Sequence, residues 1–342
     1  DEWIDQPAQG YVRMLQIRDF TQSDKNYIEY VKDTGKLKTC IEDDILIGRY
    51  GASIGKILTG LAGAYNVAIV KTIPDEKVVS KKYLYWYLNS QYFQRFISNV
   101  GSRAAQAGFN KNDLGAAQIP LVDKERQEEI CEVLEKANKL ISLRKQQLAK
   151  LDELVKARFV EMFGDLVAPQ CEYPELKLVD ICADADDIKC GPFGTQLNKD
   201  EYKAKGVAVW EIPQINSGFS EMPTHFITEE KAVILNAYSI EPGDIAMSRK
   251  GNVGKCGLFP ENLKKGIIHS DVLRIRVDKR KVDSCFMMYQ LHFSEAVKRQ
   301  IEMVSSGAIM AGINVTKLKQ IKVRIPELEN QRMFAAFVER VD

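Results

Sequence analysis

The chain repeats itself once, with a period of about 200 residues, and this duplication constrains the fold more than any single motif. Asp44-Ile45 leads through Arg49-Tyr50-Gly51 to Gly55-Lys56, and Asp244-Ile245 leads through Arg249-Lys250-Gly251 to Gly254-Lys255. Further on, Ala107-Gly108-Phe109-Asn110 and Leu114 align with Ala311-Gly312-Ile313-Asn314 and Leu318. The same spacing then pairs Gln127 with Gln331, and upstream Leu15-Gln16-Ile17 matches Pro213-Gln214-Ile215. A chain of 342 residues is long enough for two such units, each with its own core.

Each copy reads as mixed α/β. Short β-branched runs bounded by Gly, Pro and Asp predict strands at Val67–Val70, Gly266–His269 and Val272–Val277, while Lys82–Ile97 and Ser284–Val304 read as helices. Between the copies, Lys124–Phe163 contains neither Gly nor Pro, and Gly164-Asp165 closes it. Steps of four and three pick out Ile130, Leu134, Ala137, Ile141, Arg144, Leu148, Leu151, Val155, Arg158 and Met162, the narrow stripe of a coiled-coil seam. A helix of that length is roughly 60 Å long at 1.5 Å per residue. The second copy begins the same helix, with Phe334, Val338 and Val341 in the positions of Ile130, Leu134 and Ala137, and then the chain stops.

The expected organisation is therefore a first domain over 1–121, a spacer helix over 122–165, a second domain over 166–326 and the start of a second helix over 327–342. The first copy has no counterpart of roughly Tyr173–Gly206. Either the ends are truncated or another chain supplies the missing pieces, which makes self-association through the incomplete helix pair an expectation.

Composition narrows the function by exclusion. The longest apolar stretches, such as Ile45–Ile47, are too short to span a bilayer, and no secretory pattern opens the chain. Seven scattered cysteines without a C-x-x-C pair argue against a metal site or disulfide framework and for a reducing cytoplasm. His225, His269 and His292 have no mutual spacing for metal or triad chemistry, no nucleophile elbow is present, and no Asn-Pro-Pro-Tyr motif for amino-methyl transfer occurs. The net charge of +1 leaves any nucleic-acid function to local clusters.

Such clusters lie in the duplicated loops. Gly48–Lys56 and Ser248–Lys255 resemble a phosphate-binding loop but fail its requirements, since Ile57 and Cys256 stand where Ser or Thr would hold magnesium. The glycines suit a β-hairpin turn with positive φ. With no acid in Met247–Lys255, the same loop suits close approach to DNA, where Arg is the preferred bidentate partner of guanine. The polar loop Gly101–Lys111 and its partner Ser305–Asn314 stand evenly between base or phosphate contact and helix capping by Asn110 and Asn314. Gln16 and Gln214, at strand ends, have the amide that pairs with adenine, and an ordinary strand-end hydrogen bond is the equal alternative.

In this order, Gly191-Pro192-Phe193-Gly194-Thr195, Trp210–Ile215, Gly243-Asp244-Ile245, Ser248-Arg249, Gly251, Gly254-Lys255 and the Ile119-Pro120 to Gln127 run resemble the specificity subunits of type I restriction–modification enzymes. The resemblance spans nearly the whole chain. It implies an α/β (α+β) fold class: two duplicated target-recognition domains with mixed sheets, separated by long antiparallel coiled-coil helices. It further implies a non-catalytic subunit that reads a bipartite double-stranded DNA target and positions two methyltransferase subunits and the restriction subunits. No cofactor is expected on this chain, with S-adenosylmethionine, ATP and Mg on the partners, and neither a catalytic residue nor a metal ligand is expected. DNA contacts are expected in the first copy from Arg13, Gln16, Arg18, Arg49, Tyr50, Ser53, Lys56, Arg103, Gln106 and Lys111. In the second they are expected from Thr195, Gln196, Trp210, Gln214, Arg249, Lys250, Asn252, Lys255, Ser306, Asn314 and Lys317. The competing reading is a scaffold without DNA, pairing partner proteins through its coiled-coil helix.

Overall fold

A computed structural model describes residues 3–22, 28–101, 108–164, 166, 171–305 and 312–341. The chain divides into two compact units, Asp1–Lys145 and Gln146–Asp342, and the division falls inside the long helix. The first unit contains strands β1 (Trp3–Ile4), β2 (Tyr11–Leu15), β3 (Glu29–Lys32), β4 (Thr39–Cys40), β5 (Leu46–Gly48), β6 (Ile57–Leu58), β7 (Gly63–Tyr65) and β8 (Ile69–Lys71). Its helices are α1 (Ile17–Thr21), α2 (Lys81–Asn89), α3 (Gln91–Gly101), α4 (Lys111–Gly115) and the start of α5 (Lys124–Phe163). One sheet runs β1-β3-β2-β7-β4 with β2 and β7 parallel, and a second runs β6-β5-β8, antiparallel throughout.

The second unit contains β9 (Glu175–Lys177), β10 (Ile188–Cys190), β11 (Val207–Trp210), β12 (His225–Ile227), β13 (Ser239–Ile240), β14 (Ile245–Ser248), β15 (Cys256–Leu258), β16 (Gly266–Ile268), β17 (Val272–Ile275) and β18 (Lys322–Arg324). Its helices are α6 (Ile212–Asn216), α7 (Glu229–Ile234), α8 (Ser284–Phe293), α9 (Glu295–Ser305), α10 (Val315–Leu318) and α11 (Leu328–Val341). The sheet β12-β11-β16-β13 repeats the first unit's mixed sheet without its outer strand β1, including the parallel pair, and β10-β17-β14-β15 repeats the antiparallel one with a strand added. A two-stranded pair, β9 with β18, has no counterpart among the described residues of the first unit.

The landmarks of the duplication are buried polar side chains with the same task in both copies. Gln127 accepts the Ser80 amide at 2.9 Å and donates to the carbonyls of Val78 and Val122. Gln331 accepts the Asp283 amide at 2.9 Å and donates to Pro326 O. Ser80 and Asp283 cap α2 and α8, so each glutamine ties a long helix to the start of the helix it packs beside. Asp44 accepts the Ile41 amide and pairs with Lys71 at 2.6 Å; Asp244 accepts the Glu241 amide and holds Arg276 bidentately at 2.7 Å.

Asp44 carries a pH signature. Burial pushes its carboxyl up, but the Lys71 ammonium and the Ile41 amide outweigh burial and hold it below the usual carboxylate range. A depressed folded-state pKa gives stability that is present above the unfolded value and is lost as pH falls through the folded one. Asp44→Asn is therefore expected to weaken the first unit at neutral pH and to flatten its acid dependence below about pH 4, read by thermal unfolding across pH. An unchanged acid limb would rule this contact out as its source.

Two expected helices each break in the same place. Lys82–Ile97 is divided between α2 and α3 at Ser90, and Ser284–Val304 between α8 and α9 at Ser294. Each serine ends one helix and accepts an amide of the next, Phe93 at 3.3 Å and Val297 at 3.5 Å. A serine hydroxyl competes well for a helix's first free amides, which periodicity alone does not register.

The seam also needs correction. Val155, Phe334 and Val338 are buried in one core with Phe159 and Phe163, and Met162 and Val341 pack against it. Phe334 meets Phe163 and Phe159 at 5.7 and 5.4 Å between centroids, while Phe337 lies under Arg158, so α11 runs antiparallel to the end of α5. Leu134, Ala137, Ile141 and Leu148 are exposed, and Ile130 and Leu151 are half-buried.

Candidate nucleic-acid interface

The register of the parallel pairs fixes which residues correspond. Met14 lies opposite Ala64 in one copy and Val209 opposite Ile267 in the other, so Leu15 corresponds to Trp210 and Gln16 to Glu211. The expected match of Gln16 with Gln214 is three residues out, because one glutamine is the N-cap of α1 and the other lies in the first turn of α6. The Gln16 amide donates to Asp19 at 2.6 Å, and the Glu211 amide to Gln214 Oε1 at 3.1 Å. Gln214 is buried and its Nε2 donates to Met222 O at 3.3 Å. Both ends of that amide are used inside the fold, which removes it as a reader of adenine. Trp210 is likewise interior, edge-on to Phe219 and Phe259. In the first copy Gln16 and Arg18 both bond Glu29, and Arg13 pairs with Asp19 at 3.1 Å, so this basic group is locally balanced.

The duplicated hairpins are where the expected residues do converge. In the first, Arg49 Nε donates to Phe109 O at 2.7 Å and the guanidinium lies 4.9 Å over the Tyr50 ring. In the second, Arg249 Nε donates to Ile313 O at 3.2 Å and the guanidinium lies 4.9 Å over Phe193. Each arginine thus ties its hairpin to the loop 60 or more residues further on. The aromatic lid comes from the neighbouring residue in one copy and from the Gly191–Gln196 loop in the other. Gly55 and Gly254 make the hairpin fit. Both have positive φ, and a side chain at either would run into Ile97 or Ile301 at 2.6 and 3.0 Å.

Around these anchors stand Tyr50, Lys56, Lys111, Thr195, Asn252 and Lys317, all exposed. Asn314 caps α10 by accepting the Lys317 amide at 3.0 Å, and Asn110 caps α4, so both perform the structural task weighed for them. Ser53 bonds Tyr50 O within the turn, and Lys255 donates to Asn216 O. Gln196 accepts the Phe193 amide and the Tyr238 hydroxyl, which fixes the loop bearing the aromatic lid. Arg103, Gln106 and Ser306 lie outside the described residues.

The fold adds one acid to the second hairpin. Met247–Lys255 has none of its own, yet the fold brings Asp271 against Lys250 at 2.8 Å. The Asp271 carbonyl accepts the Arg249 amide as Ala68 does that of Arg49, so an alanine stands at this place in the first copy. The two hairpins share a scaffold but present different charge. Among the described residues, no group of three or more His, Cys, Asp or Glu side chains is placed to hold a metal, and no helix is long and apolar enough to cross a membrane.

Comparison with known proteins agrees with this architecture. The family model for the type I restriction modification DNA specificity domain matches residues 7–153 and again 187–342. The type I restriction enzyme MjaVIII specificity subunit of Methanocaldococcus jannaschii is 23% identical over 357 residues, covering 99% of this chain and 81% of that protein. The StySPI specificity subunit of Salmonella potsdam is 22% identical over 80% of this chain and 60% of its own. The crystal structure of the type I restriction–modification S subunit from M. genitalium shares the fold, with a TM-score of 0.57 at 16% identity, over all of this chain and 89% of that one.

Proposed function

The chain belongs to the type I restriction–modification DNA specificity family, and on that premise we propose how its residues act. It is a non-catalytic, sequence-specific DNA-recognition subunit of a type I restriction–modification complex. The observation that carries the reading is the pair of arginine-anchored hairpins, each tied to its own second loop and each bordered by exposed lysine, asparagine or aromatic side chains. Lysine contacts to phosphate give salt-dependent affinity, while the loop side chains select bases. Each unit reads one part of a split target. The differing surroundings of Lys250 and Tyr50 suit two different half-sites.

The partners are double-stranded DNA and the methyltransferase and restriction subunits; two methyltransferase subunits, one for each half, suit the internal duplication. S-adenosylmethionine, ATP and Mg belong on those partners, and the assembly works in the cytoplasm. Mapping of methylated adenine in the host genome, with and without this gene, tests the reading. Loss of one split motif with a fixed internal gap is the expected result, and an unchanged methylome would give precedence to the scaffold reading.

The exposed stripe Leu134, Ala137, Ile141 and Leu148 favours self-association of the isolated chain through α5. Sedimentation is expected to show concentration-dependent dimers that disappear in Ile141→Asp/Leu148→Asp, with the folded content unchanged. A monomer at every concentration would remove this mode.

A further inference from the structure

The first unit holds an apolar cavity of about 920 Å³ beside β8, lined among others by Ile47, Val70, Leu84, Phe109 and Leu114. The second copy shows what such a cavity is for. Val70 faces Ile47 across the ladder as Leu273 faces Met247. Leu84 lies four residues past its helix cap as Met287 does, and Leu114 four past Asn110 as Leu318 lies past Asn314. Leu273, Met287 and Leu318 are fully buried, whereas Val70, Leu84 and Leu114 are only half-buried.

The difference is one stretch of chain. In the second unit, Leu178, Ile181 and Ile188, all at 0% exposure, fill the space. The strand β10 lies antiparallel along β17, and the Leu178 and Val179 amides donate to the carbonyls of Ile321 and Lys319. In the first unit, β8 stands at the edge of its sheet among the described residues, and Ala117 and Gly115 occupy the places of Ile321 and Lys319. Ile73, at the place of Arg276 whose amide bonds Asp187 O, is 86% exposed.

We propose that the cavity and the free edge of β8 form a docking seat for an extended polypeptide segment with the pattern of residues 174–191: a Leu-x-x-Ile turn set into the cavity and an Ile-centred strand added antiparallel along β8. Strand addition supplies backbone hydrogen bonds, and the pockets for alternate side chains supply selectivity. The proposal rests on the duplication and does not depend on DNA reading.

The test adds a synthetic peptide of residues 174–191 to the unmodified full chain and follows amide hydrogen exchange. Exchange at Lys71, Ile73 and Asp75 is expected to slow by roughly tenfold or more, since at the places of the last two the Arg276 and Asp278 amides donate to the Asp187 and Ile181 carbonyls. The same peptide carrying Leu178→Asp, Ile181→Asp and Ile188→Asp is expected to protect nothing. On the protein side, Ile73→Glu leaves the fold intact because that side chain is exposed, and it is expected to weaken the peptide's effect. Joining the peptide to residue 1 through a Gly/Ser linker raises its effective concentration to the order of millimolar, which covers weak affinity. No protection from the joined peptide, or equal protection from the Asp peptide, overturns the proposal. So does an edge already protected without any peptide.

Discussion

Arg249→Ala is expected to abolish reading of one half of the target while the other half stays readable. Its guanidinium is not a free base reader. Nε holds Ile313 O at 3.2 Å, Nη1 reaches Ser270 O at 3.5 Å, and the plane lies over Phe193. Removing it takes away the side-chain part of the tie between the hairpin carrying Lys250 and Asn252 and the loop that begins α10, leaving the Ile313 amide on Arg249 O as the backbone link. Loss of the base contacts those residues support, at about 1–3 kcal/mol for each good bidentate pair, corresponds to roughly a 5- to 150-fold fall in affinity for cognate DNA. Arg249→Lys separates anchoring from charge. A lysine keeps the positive charge but lacks both the Nε donor and the planar face. It is expected to fail as Ala does, in binding assays with either half of the target altered. If Lys restores binding, or if all sequences lose affinity equally, Arg249 acts as a phosphate charge and the anchoring argument is wrong. The matching prediction for Arg49 concerns the other half-site, through Phe109 and Tyr50.

The legible part of the fold was the set of residues with a fixed task in both copies. Asp44 and Asp244 hold their turns, Gln127 and Gln331 tie helix to helix, and Gly55 and Gly254 leave room for an isoleucine. Tasks of this kind tolerate little substitution, so they show in a comparison of the chain with itself. Pairing order and the parallel pair at each sheet centre did not show, because strands of two to five residues carry too little pattern. The seam drifted for a geometric reason. Steps of four and three follow a 3.5-residue period, while a straight helix turns every 3.6 and slips about 20° per heptad. After four heptads from Ile130 the stripe reached Arg158 and Met162, one position short of the Phe159 and Phe163 that the core takes. The interface was legible as hairpin and loop but not residue by residue. Trp210 and Gln214 look like readers on paper, and only the register places them inside. Asp271 lies too far along the chain for any local window to couple it to Lys250.

That drift makes the shared aromatic core the decisive place to test the second unit, and Phe334→Ala is expected to destabilise it by about 3–5 kcal/mol. Phe334 is fully buried and meets Phe159, Phe163 and Tyr289 at centroid distances of 5.4, 5.7 and 5.5 Å. Truncation loses the transfer free energy of the ring and leaves a cavity between three elements, α5, α8 and α11, that cannot all close on it. Aromatic pairs of this geometry add roughly 0.5–1.5 kcal/mol beyond area burial. Ile141→Ala provides the contrast. It belongs to the same stripe by spacing but is exposed, and its effect on the isolated chain is expected to stay within about 0.5 kcal/mol. Because two units unfold in one chain, the measurement is hydrogen exchange under rising denaturant, which resolves them separately. Amides of α8 and β14 are expected to lose protection early in Phe334→Ala, while those of β5 and α2 keep theirs. Equal loss in both units would mean that the core formed with α11 supports the whole chain. A change below about 1 kcal/mol would mean that α11 does not dock where Phe334 places it.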